Sequence, residues 1–151
     1  MTQSPLVENK TNHEVAIREL IDRFAKAFRA KDINGVMSVL APEIISFDIL
    51  PPLQAVGAET FVKHWQEFFE SYQGPVQVEF PDVCITAGDD VAFSYCLHQV
   101  KGTLTNGKQT DWWLRWTACY RKRNGEWLIV HEQVSVPVDL GNGKAMLDLK
   151  P

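Results

Sequence analysis

One carboxylate interrupts an apolar run. In Ile45-Ser46-Phe47-Asp48-Ile49-Leu50-Pro51-Pro52 the pattern is that of a buried strand, with Asp48 in its middle. An unpaired charge there is costly, so it is either satisfied by a partner or kept for chemistry. The chemistry open to it is that of a general base that removes a proton next to a carbonyl. Such a base needs donors for the oxygen that becomes negative. Further along the chain His98, Arg115 and Thr117 offer donors, and Glu132 offers a second carboxylate. The competing reading is structural: Asp48 pairs with Arg115 or caps nearby amides, and Arg115 pairs with Glu132.

The elements that must position these residues follow from periodicity. Residues 1–10 read as a loose arm. Thr11-Asn12-His13-Glu14 fits a capping box, and Val15, Ile17, Leu20, Ile21, Phe24, Ala27 and Phe28 then recur at helical spacing. Asp32 can cap a second helix over 33–40, which Pro42 ends. The strand with Asp48 follows, then a third helix over 57–72 with Phe61, Val62, Trp65, Phe68 and Phe69 on one face. In that helix Trp65 is a core residue or a ligand wall, and His64 beside it reads as surface.

After Gly74-Pro75 the segments 76–86, 91–105, 108–123 and 126–138 are rich in β-branched and aromatic residues. Asn106-Gly107 and Asn124-Gly125 separate the last three, the strongest short hairpin signal. Helices followed by an antiparallel meander predict an α+β fold, with three N-terminal helices packed on a strongly curved, mainly antiparallel sheet. Residues 139–151 read as an irregular tail.

If both turns are two-residue loops, the register is fixed. His98 then faces Arg115, Cys96 faces Thr117, Thr117 faces Glu132 and Trp116 faces Gln133. One sheet face gathers His98, Arg115, Glu132, Cys96, Trp113 and Thr117. Small and polar residues in its middle predict a hollow under the helices, the usual form of a small-molecule site. The other face carries Tyr95, Leu97, Leu114, Trp116, His131 and Gln133. No helix is left to cover it, which predicts a homodimer through that face. A three- or four-residue loop at either turn is expected to exchange the faces of one strand.

Bulk properties narrow the function classes. The 151 residues suit one domain, here 11–138. The chain is 45% apolar and 23% charged, with net charge −4, which argues against nucleic-acid or anionic-membrane binding. It has no apolar run long enough to span a membrane and no apolar signal segment at its start. Cys84, Cys96 and Cys119 lack metal-type or nucleophile-type surroundings, and the four histidines have no ligand spacing. A cytoplasmic protein with free thiols, no metal and no cofactor is expected.

The order of elements and the stretches Trp113-Leu114-Arg115-Trp116-Thr117 and Gly125-Glu126-Trp127-Leu128-Ile129-Val130-His131-Glu132-Gln133-Val134-Ser135 resemble a known family. It is the cone-shaped, nuclear transport factor 2-like fold of ketosteroid isomerase, scytalone dehydratase and the SnoaL-like polyketide cyclases. The same hairpin is similar to the association domain of a calmodulin-dependent kinase. By this resemblance, which spans about residues 11–138, Asp48 stands where ketosteroid isomerase has its general-base aspartate. That enzyme pairs the base with a helix-one tyrosine and a protonated aspartate, whereas helix one here has Phe24 and Phe28. The resemblance implies a cofactor-free isomerase, cyclase or dehydratase acting on a small apolar carbonyl compound. Asp48, His98 and Arg115 would be its catalytic groups, and Trp113, Thr117, Glu132, Cys96 and Trp65 would line the ligand. The alternative on the same fold is a non-catalytic ligand-binding or oligomerisation module.

Overall fold

The computed structural model describes the backbone from residue 5 to 151 and side chains from Asn12 onward. Helix α1 runs over Pro5–Arg29. A proline fits the first helical turn, where its missing N–H costs nothing. The helix therefore starts ahead of Thr11, which lies inside it and does not cap it. Residues 1–4 of the expected arm lie outside the described residues. The basic last turn of α1 suits the negative end of the helix dipole. Arg29 also clamps the carbonyl of Val78 through Nε (3.1 Å) and Nη2 (2.9 Å), tying the helix end to the sheet.

Asp32 caps α2 (Ile33–Met37) by accepting the Gly35 N–H at 3.0 Å. This helix ends earlier than its apolar pattern suggested, because Leu40 already opens strand β1 (Leu40–Phe47). Pro42 is tolerated there because it falls where the pairing register shifts. Strand β2 (Ala55–Val56) turns back along β1, and α3 (Glu59–Glu70) follows. Next come β3 (Tyr72–Glu79), β4 (Cys84–Ala87), β5 (Val91–Leu104), β6 (Gln109–Arg123) and β7 (Glu126–Ser135). The expected strand over 76–86 is thus two strands. They are broken at Pro81-Asp82, where Asp82 takes a φ of 52°. A small pair, β8 (Val138–Asp139) and β9 (Lys144–Ala145), orders part of the tail.

The main sheet has the order β2-β1-β7-β6-β5-β3, with β4 also on β5. Among the described residues β1 and β7 are paired in parallel and the other pairings are antiparallel. Three helices are present among the described residues, and α1 lies over one sheet face. Ile17, Leu20, Ile21, Phe24 and Phe28 of α1 pack there with Trp116, Ala118 and Tyr120 of β6. This is the expected α+β fold.

The two hairpins differ. At the second, Asn124 (φ 50°) and Gly125 (φ 80°) form a two-residue loop, and Arg123 pairs with Glu126 as expected. At the first, Leu104 N–H donates to the Lys108 carbonyl at 2.8 Å, so the loop holds three residues. Gly107 alone takes positive φ there (84°), and the Asn106 side chain accepts the Lys108 N–H at 2.9 Å. The register moves by one residue: His98 faces Leu114 and Cys96 faces Trp116. All of β6 exchanges faces relative to the expectation. A second shift on β7, between its pairs with Cys119 and Tyr120, turns the strand back, so that Glu132 faces Ala118.

Candidate functional site

The parallel pairing of β1 with β7 sets Ser46 beside Glu132. Ser46 is fully buried, and its hydroxyl donates to Glu132 Oε1 at 3.4 Å. Trp116, inward-facing on β6, donates its indole N–H to Oε2 at 3.0 Å. Among the described residues no salt bridge reaches Glu132. Burial pushes its carboxyl up to about 7, opposed by the Trp116 bond and assisted by the negative charge of Asp48. At neutral pH this group is divided between acid and carboxylate.

Asp48 follows the last residue of β1 and is half-buried. Its Oδ1 accepts the Ile49 N–H at 2.7 Å. Burial raises its pKa; the amides of Ile49 and Leu50, and a positive charge on His64, pull it back. It too has no salt bridge among the described residues. Two carboxyl groups near each other, both raised and neither neutralised by Lys or Arg, form the centre of the site.

His98 points inward from β5 and is 7% exposed. Its ring lies flat on Phe80 (5.2 Å between centroids, 5° between planes) and 6.4 Å from the Trp116 ring. Among the described residues neither ring nitrogen has a hydrogen-bond partner. Burial lowers its pKa to about 4, so it is a neutral imidazole, one N–H donor and one acceptor, at neutral pH. Phe24, Phe28 and Trp65 continue the aromatic wall, with Phe24 stacked on Trp116 at 5.8 Å. Deeper on the inner face, the Ser94 and Tyr120 hydroxyls bond at 2.7 Å. Burial pushes the Cys96 thiol up to about 12, so it is no thiolate nucleophile. Among the described residues no three His, Cys, Asp or Glu side chains converge to hold a metal ion.

Of the residues expected at the site, the structure brings Asp48, His98, Glu132, Cys96 and Trp65 to the inner side. It sends Arg115, Trp113 and Thr117 to the other, because the longer first loop reversed β6. These three line a groove of about 630 Å³ on the outer face with Tyr95 and Leu97. Arg115 donates there to Ser135 Oγ at 3.0 Å and pairs with neither Asp48 nor Glu132. Leu114 and Trp116, expected outside, are core residues at 8% and 2% exposure. Tyr95, Leu97, His131 and Gln133 do lie on the outer face. Sequence reasoning missed Trp116 and Ser46 as partners of Glu132, and it placed His64 on the surface. The α3 pattern held the signal for His64, since it lies three residues after Phe61 and four before Phe68, on their side of the helix.

The sequence profile of the SnoaL-like domain matches residues 17–139. That span covers most of the chain, so the protein belongs to the SnoaL-like family, as the closing hairpin implied. An NTF2-like protein of unknown function from Pseudomonas putida KT2440 is 32% identical with a TM-score of 0.85, over 93% of this chain and 98% of that one. A protein provisionally named a scytalone dehydratase, from Novosphingobium aromaticivorans, shares 11% identity and a TM-score of 0.78 over 85% and 87% of the two chains. A ketosteroid isomerase-like protein from Erwinia carotovora atroseptica shares 20% and 0.68 over 80% and 93%. The last two likenesses are of fold alone. No curated protein matches the sequence. Among the described residues no helix is long and apolar enough to cross a membrane.

Proposed function

We propose that the protein is a small cytoplasmic enzyme that moves protons without a cofactor, of the isomerase, cyclase or dehydratase type. Its substrate is a small apolar carbonyl compound. Asp48 is the base. Glu132 in its protonated form and the neutral His98 are donors to the oxygen that gains charge. Arg115 drops out of the set expected from sequence. The observation that carries this reading is the pair Asp48 and Glu132: two desolvated carboxyl groups with no Lys or Arg salt bridge among the described residues. A purely structural network would have closed those acids on a cation such as Arg115, which donates to Ser135 instead.

The test uses 2-tetralone in D2O, with deuterium uptake at the carbon next to the carbonyl followed by proton NMR. The wild type is expected to exceed buffer. Asp48→Asn is expected to lose about 10²-fold or more of that excess. An excess that survives in Asp48→Asn, or none in the wild type, sinks the assignment.

The proposal extends to a homodimer through the outer sheet face. Phe93, Tyr95 and Leu97 are 44%, 53% and 42% exposed there, and Ile45 and Phe47 continue the patch. Light scattering should give twice the chain mass for the wild type and the single mass for Leu97→Glu. A wild-type monomer at micromolar concentration would end the dimer reading.

A further inference from the structure

The two oxygens of the Glu132 carboxyl are held unequally. The Trp116 indole N–H donates to Oε2 at 3.0 Å, while the Ser46 hydroxyl lies 3.4 Å from Oε1. An indole nitrogen can only donate, and a bare carboxyl oxygen accepts better than one that carries a proton. When Glu132 is an acid, its proton therefore sits on Oε1. The direction of the N–H is set by the packing of the ring. Phe24 of α1 stacks on it (5.8 Å, 25°) and Phe80 tilts against it (5.1 Å, 53°). Trp116 is 2% exposed, so water does not compete for this bond. Oε1 is held far less firmly. A hydroxyl at 3.4 Å is at the outer limit of a bond that prefers about 2.7–2.8 Å.

One oxygen fixed and one loosely met suits a group that offers its proton to a ligand. The titratable groups facing Glu132 are Asp48, just after β1, and Tyr120 of β6, whose hydroxyl bonds Ser94 at 2.7 Å. The α1 side chains packed with β6 are apolar. Among the described residues no salt bridge reaches Glu132. We propose that Trp116 is a positioning residue for Glu132: its N–H holds Oε2, so that the acid carries its proton on Oε1 and turns it from Ser46 to the ligand oxygen that gains charge. The ligand C–H bond breaks and its proton goes to an Asp48 oxygen. The electron pair moves to the ligand oxygen, which the Oε1–H group then bonds. No oxidant or reductant is needed. This rests on the reading of Glu132 as a donor, but the titrations below need no substrate.

The experiment is a carboxyl-carbon NMR titration of Glu132 in the full chain, comparing wild type with Trp116→Phe. That variant keeps a ring against Phe24 and Phe80 and removes the N–H. The Glu132 midpoint is expected to rise by about 0.5–1 unit, a 3- to 10-fold change in proton affinity, because the lost bond favours the charged form. A second measurement needs no variant at position 116. The Trp116 indole proton in the wild type should show an inflection at the Glu132 midpoint, and Glu132→Gln should lack it. An unmoved midpoint in Trp116→Phe, or an indole proton blind to Glu132, overturns the hold of Trp116 on the acid. Deuterium uptake by 2-tetralone then separates positioning from packing. At about pH 6, where most of Glu132 keeps its proton, uptake should fall about 10-fold in Trp116→Phe. The decline of uptake toward high pH should move up with the Glu132 midpoint. Undiminished uptake at that pH, or a decline that stays in place, removes the positioning role. Linked titrations without any uptake by the wild type would defeat the enzyme reading, and the hand-over of the proton with it, and leave the Trp116–Glu132 hold standing.

Discussion

The two faces of one sheet solve the same problem in opposite ways. On the inner face Asp48 and Glu132 are desolvated acids that no Lys or Arg salt bridge reaches among the described residues. On the outer face Arg115 is exposed and held by a serine. Arg115 and Trp116 are neighbours in sequence, so one step of strand pleat separates a solvated charge from a core indole. The difference teaches that the unneutralised state of the inner acids is not for want of basic residues. A cation is available one residue away on β6, and the register turns it outward.

The largest effect expected to separate the faces is on stability. Trp116 packs on Phe24 and Phe80 at 5.8 and 5.1 Å and holds Glu132. Trp116→Ala should cost about 3–5 kcal/mol in urea unfolding. Trp113→Ala, on the outer face of the same strand, should cost about 1 kcal/mol or less. A larger loss for Trp113→Ala than for Trp116→Ala would mean that β6 has the opposite register.

A second effect is smaller and depends on pH. The Glu132 carboxyl is raised from 4.5 to about 7, so the fold binds a proton that the unfolded chain releases. Its contribution to stability is full below about 4.5 and is lost as pH rises through 7. His98 is lowered from 6.5 to about 4, so its contribution is full above 6.5 and is lost as pH falls through 4. The two tilts oppose each other between pH 4.5 and 6.5 and hide one another in the wild type. Each is on the order of 3 kcal/mol across its window. The stability of Glu132→Gln relative to wild type should therefore rise from pH 5 to pH 8. That of His98→Gln relative to wild type should rise as pH falls from 7 to 4.5. Parallel curves for wild type and Glu132→Gln would show that Glu132 is an ordinary, hydrated carboxylate.

The sequence carried much of this but not the pairing of the faces. Apolar spacing found α1 and α3, and β-branched runs separated by Asn-Gly found the meander. Asp48 stood out because one charge broke an apolar run. The inner placement of His98 and Glu132 was also legible, though for Glu132 only because two errors offset. The first loop reversed β6, and the unforeseen bulge on β7 restored the face of that strand beyond it. Arg115, Trp113 and Thr117 were misplaced by the first of these alone. His64 was misread as surface although its spacing from Phe61 and Phe68 puts it on the packed side of α3, where it is half-buried.

The smallest effect tests the loop that caused the reversal. An Asn-Gly pair is consistent with two-residue and three-residue loops, and the choice lies in which residues take positive φ. At the second hairpin both do; at the first only Gly107 does. Asn106 instead spends its side chain on the Lys108 amide. A methyl added at Gly107 would meet no atom within 4 Å, so Gly107→Ala carries only the conformational cost of φ 84°. That cost is about 1 kcal/mol. Asn106→Gly separates the two loops further. It removes the bond to Lys108 and makes a two-residue type I′ turn accessible, in which Cys96 would lie opposite Thr117. Cross-strand proton contacts by NMR should still join Cys96 to Trp116, because the apolar inner face of β6 outweighs one turn bond of about 1 kcal/mol. Contacts from Cys96 to Thr117 in that variant would show that the turn, and not the core, sets which residues of β6 face the acids.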